Sequence, residues 1–443
     1  MPKPLVLLLA ALVAAPLAAS PAAAQATPDD DLTERVDRLV ADVVPNVVAY
    51  RRHVHEHPEL SNRETETAAY VARHLAGLGI EVRTGVARTG VVGVLKGGRP
   101  GPTVALRADM DALPVTEQVD LPFASTVRTV YNGMEVGVMH ACGHDAHVGI
   151  LMGVAEVLAA VREDLPGTVV FLFQPAEEGA PAGEAPAGAE LMVAEGALDG
   201  VDAIFGLHVT SSFEVGDLKT RPGSMMASAD DLRIVVTGKQ THGAYPWGGV
   251  DPVATSALVV TGLQTIVSRQ MDLTKAPAVV TIGRIDGGVR SNIIPDSVLM
   301  IGTIRALDDA MRGDLHERIR RTAEGIAESQ GATAEVTIAG EYGYPVTAND
   351  AGLLTRMTPT LARVAGDGLD MDVAPVLGAE DFSYYANEVP GLFLWLGVRT
   401  PGASRELFPP NHSPLFRIDE DALPLGVRAL AHLAVDYLQG SEG

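Results

Sequence analysis

The sequence predicts an α/β fold in which a compact α+β unit is inserted into a larger domain. Apolar runs that are typical of strands alternate with helical patterns in the first half of the chain and again near its end, which favours a sheet covered by helices. Between these two parts, residues 225–340 follow the order βαββαβ of a ferredoxin-like unit. The length of 443 residues also suits two structural domains better than one.

The elements of the larger domain follow from the spacing of its apolar residues. The predicted helices cover residues 32–52, 64–78, 148–161, 190–195 and 422–438. The predicted strands cover residues 91–95, 103–106, 168–173, 203–209 and 392–396. A segment rich in Ala, Gly and Pro, residues 179–189, predicts a flexible loop.

The inserted unit has its own alternating pattern. Its predicted strands cover residues 231–236, 278–285, 297–305 and 334–338, and its predicted helices cover residues 251–269 and 308–330. The predicted division of the chain is a signal peptide (1–26), a first part of the catalytic domain (27–223), the inserted domain (224–340) and a second part of the catalytic domain (341–443).

Composition and charge exclude several classes of protein. Hydrophobic residues make up 47% of the chain and charged residues 20%, which is a globular balance and not that of a disordered or fibrous protein. The net charge of −23 would repel nucleic acid, so no nucleic-acid partner is expected. Cys142 is the single cysteine, which excludes an intramolecular disulfide and a cysteine-rich zinc module.

Residues 1–26 have the order of a secretory signal peptide. Lys3 is followed by an apolar stretch at residues 5–19 and then by a small-residue cleavage pattern. A membrane anchor is the alternative, but the stretch falls short of the roughly 20 residues that span a bilayer. We expect cleavage and a periplasmic or secreted protein that does not enter the membrane. Since a free thiol is unusual in that compartment, we expect Cys142 to be occupied.

The densest group of reactive side chains lies at residues 139–149, MHACGHDAHVG, just before a helical pattern. Thiolate, imidazole and carboxylate groups are all ligands of transition metals. A lone histidine would more often be structural, but several in this company predict a metal site at Cys142 and His144. His140 and His147 are then expected to support the site or the fold.

Other residues of ligand type end strands or apolar runs, and the carboxyl ends of strands are where open α/β sheets place their active sites. The pair in FLFQPAEEG taken alone could equally be a solvated acidic turn. The whole set, however, offers enough ligands for two metal ions. Its members are Asp109, Asp111, Glu177, Glu178, His208 and His412.

These motifs resemble the M20 metallopeptidase family, specifically its amidohydrolase branch of hippurate, N-acyl-amino-acid and indoleacetyl-amino-acid hydrolases. RADMDALP, MHACGHDAH, FQPAEEG, GLHV, GAEDFS and NHSP occur in family order over essentially the whole mature chain. The resemblance implies a mixed-sheet catalytic domain of the zinc-exopeptidase type, with the inserted unit as a lid and dimerisation domain. It implies two divalent metal ions, held by Cys142, His144, Glu178, His208 and His412.

The resemblance also implies Glu177 as the general base. A metal pair lowers the pKa of a bridging water and polarises the scissile carbonyl, and an unliganded carboxylate can pass the proton of that water to the leaving amine. We expect Asp109, Asp111 and Glu380 to support the ligands. Thiolate favours Zn²⁺, whereas imidazole and carboxylate also suit Mn²⁺, Co²⁺ or nickel, so the metal stays open.

Three residues of the inserted unit complete the expected site. In relatives, His242, Asn292 and Arg305 reach a substrate carboxylate or oxyanion, often across a dimer, so we expect a homodimer. For Arg305 the alternative is an ordinary surface residue at a strand end. The chain departs from the branch in having Trp247 where relatives often have a histidine, and in a longer loop after Glu178. The resemblance therefore does not fix the substrate preference.

The sequence therefore predicts an exported, metal-dependent amidohydrolase or carboxypeptidase that acts on N-acyl-amino acids or small peptides. The alternative is a catalytically silent, metal-bearing binding protein that captures acyl-amino acids. The presence of Glu177 favours the enzyme, because a binding protein has no need of a base beside the metals.

Overall fold

The structure is a computed structural model that describes Met1 and residues 32–440. The predicted signal peptide, from residue 2 onward, lies outside the described residues. Among the helices of the described part, none has the length and apolar character needed to cross a bilayer.

The described residues form helices and strands in an alternating order. The helices are α1 (Leu32–Glu56), α2 (Thr65–Gly77), α3 (His144–Ala160), α4 (Gly188–Ala194), α5 (Pro252–Gln270), α6 (Asp309–Ser329), α7 (Ala351–Ala365), α8 (Ser383–Glu388) and α9 (Leu423–Gln439). The strands are β1 (Glu81–Val86), β2 (Gly90–Lys96), β3 (Arg99–Asp109), β4 (Arg128–Tyr131), β5 (Met134–Gly137), β6 (Pro166–Gln174), β7 (Ala203–Glu214), β8 (Leu218–Lys219), β9 (Gly223–Met226), β10 (Ala229–Thr237), β11 (Thr241–His242), β12 (Ala278–Gly287), β13 (Ile293–Ile294), β14 (Ser297–Ala306), β15 (Thr333–Tyr344), β16 (Thr347–Asn349), β17 (Leu369–Asp370) and β18 (Gly391–Arg399).

An eight-stranded sheet forms the centre of the larger domain, with the strand order β1-β2-β6-β3-β7-β18-β8-β17. The central strands β6, β3, β7 and β18 are parallel, whereas β1, β2 and β6 pair antiparallel. The predicted α/β fold with a mixed sheet is therefore confirmed. Because the central strands run in one direction, their carboxyl ends meet at one edge of the sheet.

Helices cover both faces of this sheet. On one face, α1, α3, α7 and α9 pack together over a core that includes Val47, Leu151 and Leu430. Nearly every side chain of α3 is buried, as expected for a helix that is apolar on all sides. On the other face, α4 and α8 contribute Met192 and Tyr385 to a second core. The helix that begins at His144 is therefore held rigidly from several sides.

The inserted unit forms a separate four-stranded antiparallel sheet with the order β12-β14-β10-β15. Helices α5 and α6 contact each other and the sheet, and Leu232, Leu263 and Leu315 lie in their common core. The strands and helices follow the βαββαβ order expected from the sequence. Strand β15 runs on to Tyr344, beyond the expected boundary at residue 340, because Ala229 continues the ladder as its partner. The domain boundaries and the role as a lid stay predictions.

The sequence analysis missed several elements. Strand β1, helix α7 and the β4–β5 hairpin were not expected, and the segment at residues 179–189 has more contacts than a flexible loop would. Its Glu184 forms a salt bridge with Arg63 at 2.6 Å. Arg88 donates hydrogen bonds to the backbone oxygens of Glu184 and Pro186 at 2.7 and 2.9 Å. Composition alone could not show that these side chains, distant in sequence, hold the segment.

Candidate metal centre and active site

The site lies at the edge of the large sheet where the parallel strands end. Strand β3 ends at Asp109, β6 ends three residues before Glu177, and β7 carries His208. Asp109 is the ladder partner of Gln174, the last residue of β6. The register of the parallel strands therefore brings residues that are far apart in sequence to one place.

Cys142 and His144 are presented by a tight turn at the start of α3. The residue between them, Gly143, has a φ of 98°, a conformation that costs glycine little and other residues more. A Cβ at this position would also lie 2.4 Å from the Cγ2 atom of Val209. Glycine is therefore required both for the turn and for the close approach of β7.

Two sets of ligand atoms share the thiol of Cys142. Its Sγ lies 3.4 Å from Nε2 of His208 and 3.2 Å from Nε2 of His412. The first set joins Cys142 with His144 and His208, and the second joins it with Glu178 and His412; the atoms of each set lie within 4.8 Å of one another. The structure thus brings all five predicted metal ligands together, in an arrangement that suits two ions with a shared thiolate.

The hydrogen bonds of the histidines leave the expected ligand atoms available. Nδ1 of His144 donates to the backbone oxygen of Asp111 at 2.8 Å, and its Nε2 is buried with no hydrogen-bond partner in the described residues. Nδ1 of His208 donates to the backbone oxygen of Val209 at 2.7 Å. A histidine that donates from one ring nitrogen presents the other as a metal ligand, so these donors fit divalent metal ions.

The surroundings of Cys142 favour its protonated thiol over the thiolate when no cation is bound. Burial, followed by the charges of Glu178 and Glu177, raises its pKa well above the ordinary value. A metal ligand must be the thiolate, and a divalent cation at this position would stabilise that form. The mixture of thiolate, imidazole and carboxylate donors is compatible with Zn²⁺, Mn²⁺ or Co²⁺.

Glu177 lies beside the two ligand sets that share Cys142 but belongs to neither. It is 6% exposed, and its carboxylate lies 3.8 Å from Nε2 of His144. Its backbone oxygen accepts a hydrogen bond from the hydroxyl of Tyr344 at 2.9 Å. Burial, followed by the nearby carboxylates of Glu380 and Glu178, raises its pKa well above the usual range. The geometry provides a buried carboxylate whose affinity for a proton is increased.

Asp111 orients both glutamates. Its carboxylate accepts hydrogen bonds from the backbone N–H groups of Glu177 at 3.1 Å and Glu178 at 3.0 Å. The hydroxyl of Ser61 donates to the same carboxylate at 2.7 Å. The backbone oxygen of Asp111 accepts a hydrogen bond from Nδ1 of His144. One buried residue thus fixes Glu177, Glu178 and His144 relative to each other.

Behind the ligands lies a buried network around Arg107, which the sequence analysis did not single out. Its guanidinium forms salt bridges with Asp109 at 2.5 Å, Glu380 at 2.8 Å and Asp381 at 2.9 Å. Its Nε donates to the side chain of Gln174 at 2.8 Å. The sequence contained a signal for this network, because Arg107 lies inside an apolar strand and a charged residue there needs buried partners.

The two remaining histidines of the MHACGHDAHVG motif do not join the shared-thiol sets. Both ring nitrogens of His147 are used, since Nδ1 bonds the carboxylate of Asp109 and Nε2 accepts from the backbone N–H of Val209 at 2.9 Å. His140 is buried, and burial lowers its pKa to about 3. His147 thus contacts residues around the site, whereas neither ring nitrogen of His140 has a hydrogen-bond partner among the described residues, and the supporting roles of both stay predictions.

The ligands open into a cavity of about 440 Å³, which we call the ligand cavity. Arg305 of strand β14 lines this cavity together with Glu177, so the inserted unit reaches the site of its own chain. The walls also include aromatic side chains that the sequence analysis missed, namely Tyr342, Tyr344 and Trp395.

His242 and Asn292 are placed elsewhere. Both are exposed and lie next to each other on the small β11–β13 ribbon, where the N–H of Gly243 donates to the backbone oxygen of Asn292 at 2.9 Å. Neither lines the ligand cavity. Trp247, which lies between them in the chain, is 81% exposed. Within the described part of one chain, these residues are therefore not assembled with the metal ligands.

Comparison with known proteins agrees with this geometry. The model of Peptidase family M20/M25/M40 matches residues 105–436. Thermostable carboxypeptidase 2 of Saccharolobus solfataricus is 41% identical over 408 residues, which cover 92% of this chain and 99% of that protein. N-acetylcysteine deacetylase of Bacillus subtilis is 40% identical over 395 residues, covering 89% of this chain and 97% of that protein.

A solved structure is similar to this chain over a comparable share of its length. The Bacillus subtilis YXEP protein, described as a dinuclear metal binding peptidase from the M20 family, is 37% identical with a TM-score of 0.75. The match covers 90% of this chain and 99% of that one. Because the family model spans most of the chain and these relatives span nearly all of it, the chain belongs to peptidase family M20/M25/M40, in its amidohydrolase branch.

Proposed function

We propose that the chain is an exported, metal-dependent amidohydrolase that cleaves the amide bond of N-acyl-amino acids or small peptides. The observation that carries the proposal is the buried carboxylate of Glu177, which lies beside both ligand sets in one cavity with Arg305. A hydrolase needs a proton acceptor at this position, whereas a binding protein does not.

Five residues would hold two divalent ions in this enzyme. Cys142 belongs to both sets, His144 and His208 complete the first, and Glu178 and His412 complete the second. When bound, such ions polarise a scissile carbonyl and lower the pKa of water.

Glu177 then acts as the general base. In this role it accepts a proton from the attacking water and delivers it to the nitrogen of the leaving amine. The hydrogen bonds of its backbone to Asp111 and Tyr344 hold it in place for both transfers. Burial keeps bulk water away from the carboxylate, so the proton is passed on rather than lost to solvent.

Arg305 is suited to bind the α-carboxylate of the amino-acid half. Its guanidinium donates to the hydroxyl of Thr303 at 2.6 Å and to the backbone oxygen of Ile304 at 3.1 Å, both from Nη1. Among the described residues it forms no salt bridge, so its charge is available to a ligand. A guanidinium can hold a carboxylate through two parallel hydrogen bonds.

A homodimer would bring His242 and Asn292 to a site. Since both are exposed in their own chain, we propose that they serve the partner's ligand cavity. The inserted unit presents exposed apolar side chains that a partner could cover, with Trp247 at 81%, Val289 at 93% and Ile285 at 54% exposure. Ile285 belongs to β12, an edge strand of the four-stranded sheet, and an unpaired edge can be covered by a second copy across a two-fold axis.

Export is proposed from the first residues alone. The charged start, the apolar stretch at residues 5–19 and the small-residue pattern after it are those of a cleaved signal peptide. Fractionation of the native host tests this, with N-terminal sequencing of the mature protein. An intact N-terminus in the cytoplasmic fraction would contradict it.

A turnover assay on N-acyl-amino acids and dipeptides tests the proposed activity. Removal of metal with a chelator should abolish hydrolysis, and Mn²⁺, Co²⁺ or Zn²⁺ should restore it. Full activity in a preparation shown to be metal-free by elemental analysis would contradict metal dependence. Tight binding of these compounds by the metal-loaded protein without any turnover would favour the binding protein instead.

A further inference from the structure

We propose that a second cavity, walled by the β4–β5 hairpin, binds the acyl group of the substrate and selects for its size. The proposal rests on the proposed function and names the half of the substrate that the function leaves open. This hairpin cavity has a volume of about 380 Å³. Its lining includes Leu113, Thr129, Val130 and Tyr131, together with the charged side chains of Arg63 and Glu178.

The hairpin cavity and the ligand cavity meet at the metal site. Glu178 and Gly179 line both of them, so the two cavities adjoin at a predicted metal ligand. Hydrolysis of an amide separates an acyl half from an amine half, and both halves extend from the same carbonyl. A site that holds this carbonyl beside Glu178 can accommodate one half in each cavity.

The charged side chains of the two cavities indicate which half of the substrate enters which cavity. The ligand cavity contains Arg305, whose guanidinium has no carboxylate partner in the described residues. The hairpin cavity contains Arg63, but both of its Nη atoms bond the carboxylate of Glu184, at 2.6 and 3.1 Å. The α-carboxylate of an acyl-amino acid is therefore attracted to the ligand cavity, and the uncharged acyl group is left to the hairpin cavity.

The hairpin is well formed at its turn and at its base. Strands β4 and β5 are joined by two residues, Asn132 and Gly133, with φ angles of 50° and 78°, as a tight hairpin turn requires. At the base, the N–H of Gly137 donates to the hydroxyl of Thr116 at 3.2 Å. Yet Val130, which lines the cavity, is 69% exposed. An apolar ligand would cover this side chain.

The part of the wall that contains Pro181 is also held in place. Pro181 lines the hairpin cavity, and the segment that carries it is held by the salt bridge between Glu184 and Arg63. The amide of Asn62 also donates to Glu184 at 2.9 Å. Walls that exist before the ligand binds favour shape selection over adaptation. The cavity therefore suits a large apolar acyl group, such as an aromatic one, better than an acetyl group.

The test compares two substrates that differ only in the acyl group, N-benzoylglycine and N-acetylglycine. The metal-loaded wild type should have the higher kcat/KM for N-benzoylglycine. Tyr131→Ala removes an aromatic wall and should lower the ratio of the two kcat/KM values about tenfold. Thr129→Trp, which fills the cavity and suits a strand position, should lower the same ratio at least as much.

Met134→Ala is the matched control. Met134 lies directly opposite Tyr131 in the hairpin and is 64% exposed, but it does not line the cavity. Its substitution should leave the ratio unchanged. An unchanged ratio in both Tyr131→Ala and Thr129→Trp would overturn the assignment, as would a wild type that prefers N-acetylglycine. If the metal-loaded wild type hydrolyses no N-acyl-amino acid at all, the proposed function fails, and this assignment fails with it.

Discussion

At the scale of single residues, Cys142 determines how the metal site is built. A carboxylate or imidazole ligand would tolerate water, but this thiol is buried between His208, His412 and the glutamates. Under the proposed export, a thiolate shared by two cations would be neither free nor exposed, which would explain why the chain can keep one unpaired cysteine.

We therefore expect the metals to protect Cys142 from modification. A thiol reagent should label the metal-free protein faster than the metal-loaded protein, as followed by mass spectrometry over time. Because the chain has a single cysteine, every labelled molecule reports on this site, and Cys142→Ser gives the background. Equal labelling rates with and without metal would remove Cys142 from the ligands.

At the scale of elements, Asp230 holds helix α6 against the sheet of the inserted unit. It lies in strand β10 with its side chain fully buried, and it accepts from Arg312 at 2.6 Å and His316 at 3.0 Å. Removing one partner of a buried ion pair leaves the other charge uncompensated. Asp230→Asn should therefore lower the free energy of unfolding by about 3 kcal/mol in a denaturant titration.

A control for Asp230→Asn is available on helix α6 itself. Asp314 pairs with Arg318 one turn away, but its side chain is 42% exposed. Loss of such an exposed pair usually costs under about 1 kcal/mol, so Asp314→Asn should change stability little. Equal effects of the two substitutions would mean that Asp230 does not hold α6.

The contribution of Asp230 should also depend on pH. Burial raises its pKa, but the hydrogen bonds from His316 and Arg312 outweigh burial, and the pKa is lowered. A carboxyl whose folded pKa is lowered stabilises the protein above its unfolded pKa of about 3.9, and this contribution is lost as the pH falls through the folded value. The difference between wild type and Asp230→Asn should accordingly shrink in acid.

Helices and strands could be predicted from the sequence where their pattern of apolar residues is long and regular. Helices α1, α3 and α9 and the central strands follow directly from apolar spacing, because a packed face repeats at a fixed period. The β4–β5 hairpin could not be found in this way, since its strands have four residues each and are mostly exposed. Only its Asn-Gly turn carried a signal.

Site residues could be predicted where they follow a recognisable strand, but not where they depend on contacts made only in the folded chain. Residues of ligand type that come after an apolar strand, such as Glu178, can be recognised because strand ends meet at one edge of the sheet. Asp109 and Glu380 were expected to support the ligands, but their pairing with Arg107 could not be predicted. Glu380 lies more than 270 residues further along the chain than Arg107, and only the folded sheet brings the two together. Position in a pocket is likewise a tertiary property, as Tyr344 and Trp395 illustrate.

At the scale of the whole molecule, the separation of His242 from the ligand cavity requires a second chain if this residue acts in catalysis. We expect a homodimer in which each inserted unit completes the site of its partner. Mixing inactive Glu177→Gln protomers with inactive His242→Ala protomers should then restore activity. With random exchange, half of the dimers are mixed and each has one intact site, so about a quarter of wild-type activity should return.

Subunit exchange must be shown independently, for example with differently tagged protomers. Activity that stays absent although exchange has occurred would mean that His242 serves its own chain or is structural. A protein that sedimentation shows to be monomeric would contradict the shared site directly.

Glu177 and Glu178 are neighbours in sequence, but we assign them different roles, with Glu177 as the base and Glu178 as a metal ligand. The most direct test measures metal content and kcat in Glu177→Gln and Glu178→Gln side by side. The Glu177 variant should keep both metals and lose at least ~10²-fold in kcat, whereas the Glu178 variant should lose metal. Loss of metal from the Glu177 variant and full occupancy in the Glu178 variant would contradict this account of the site.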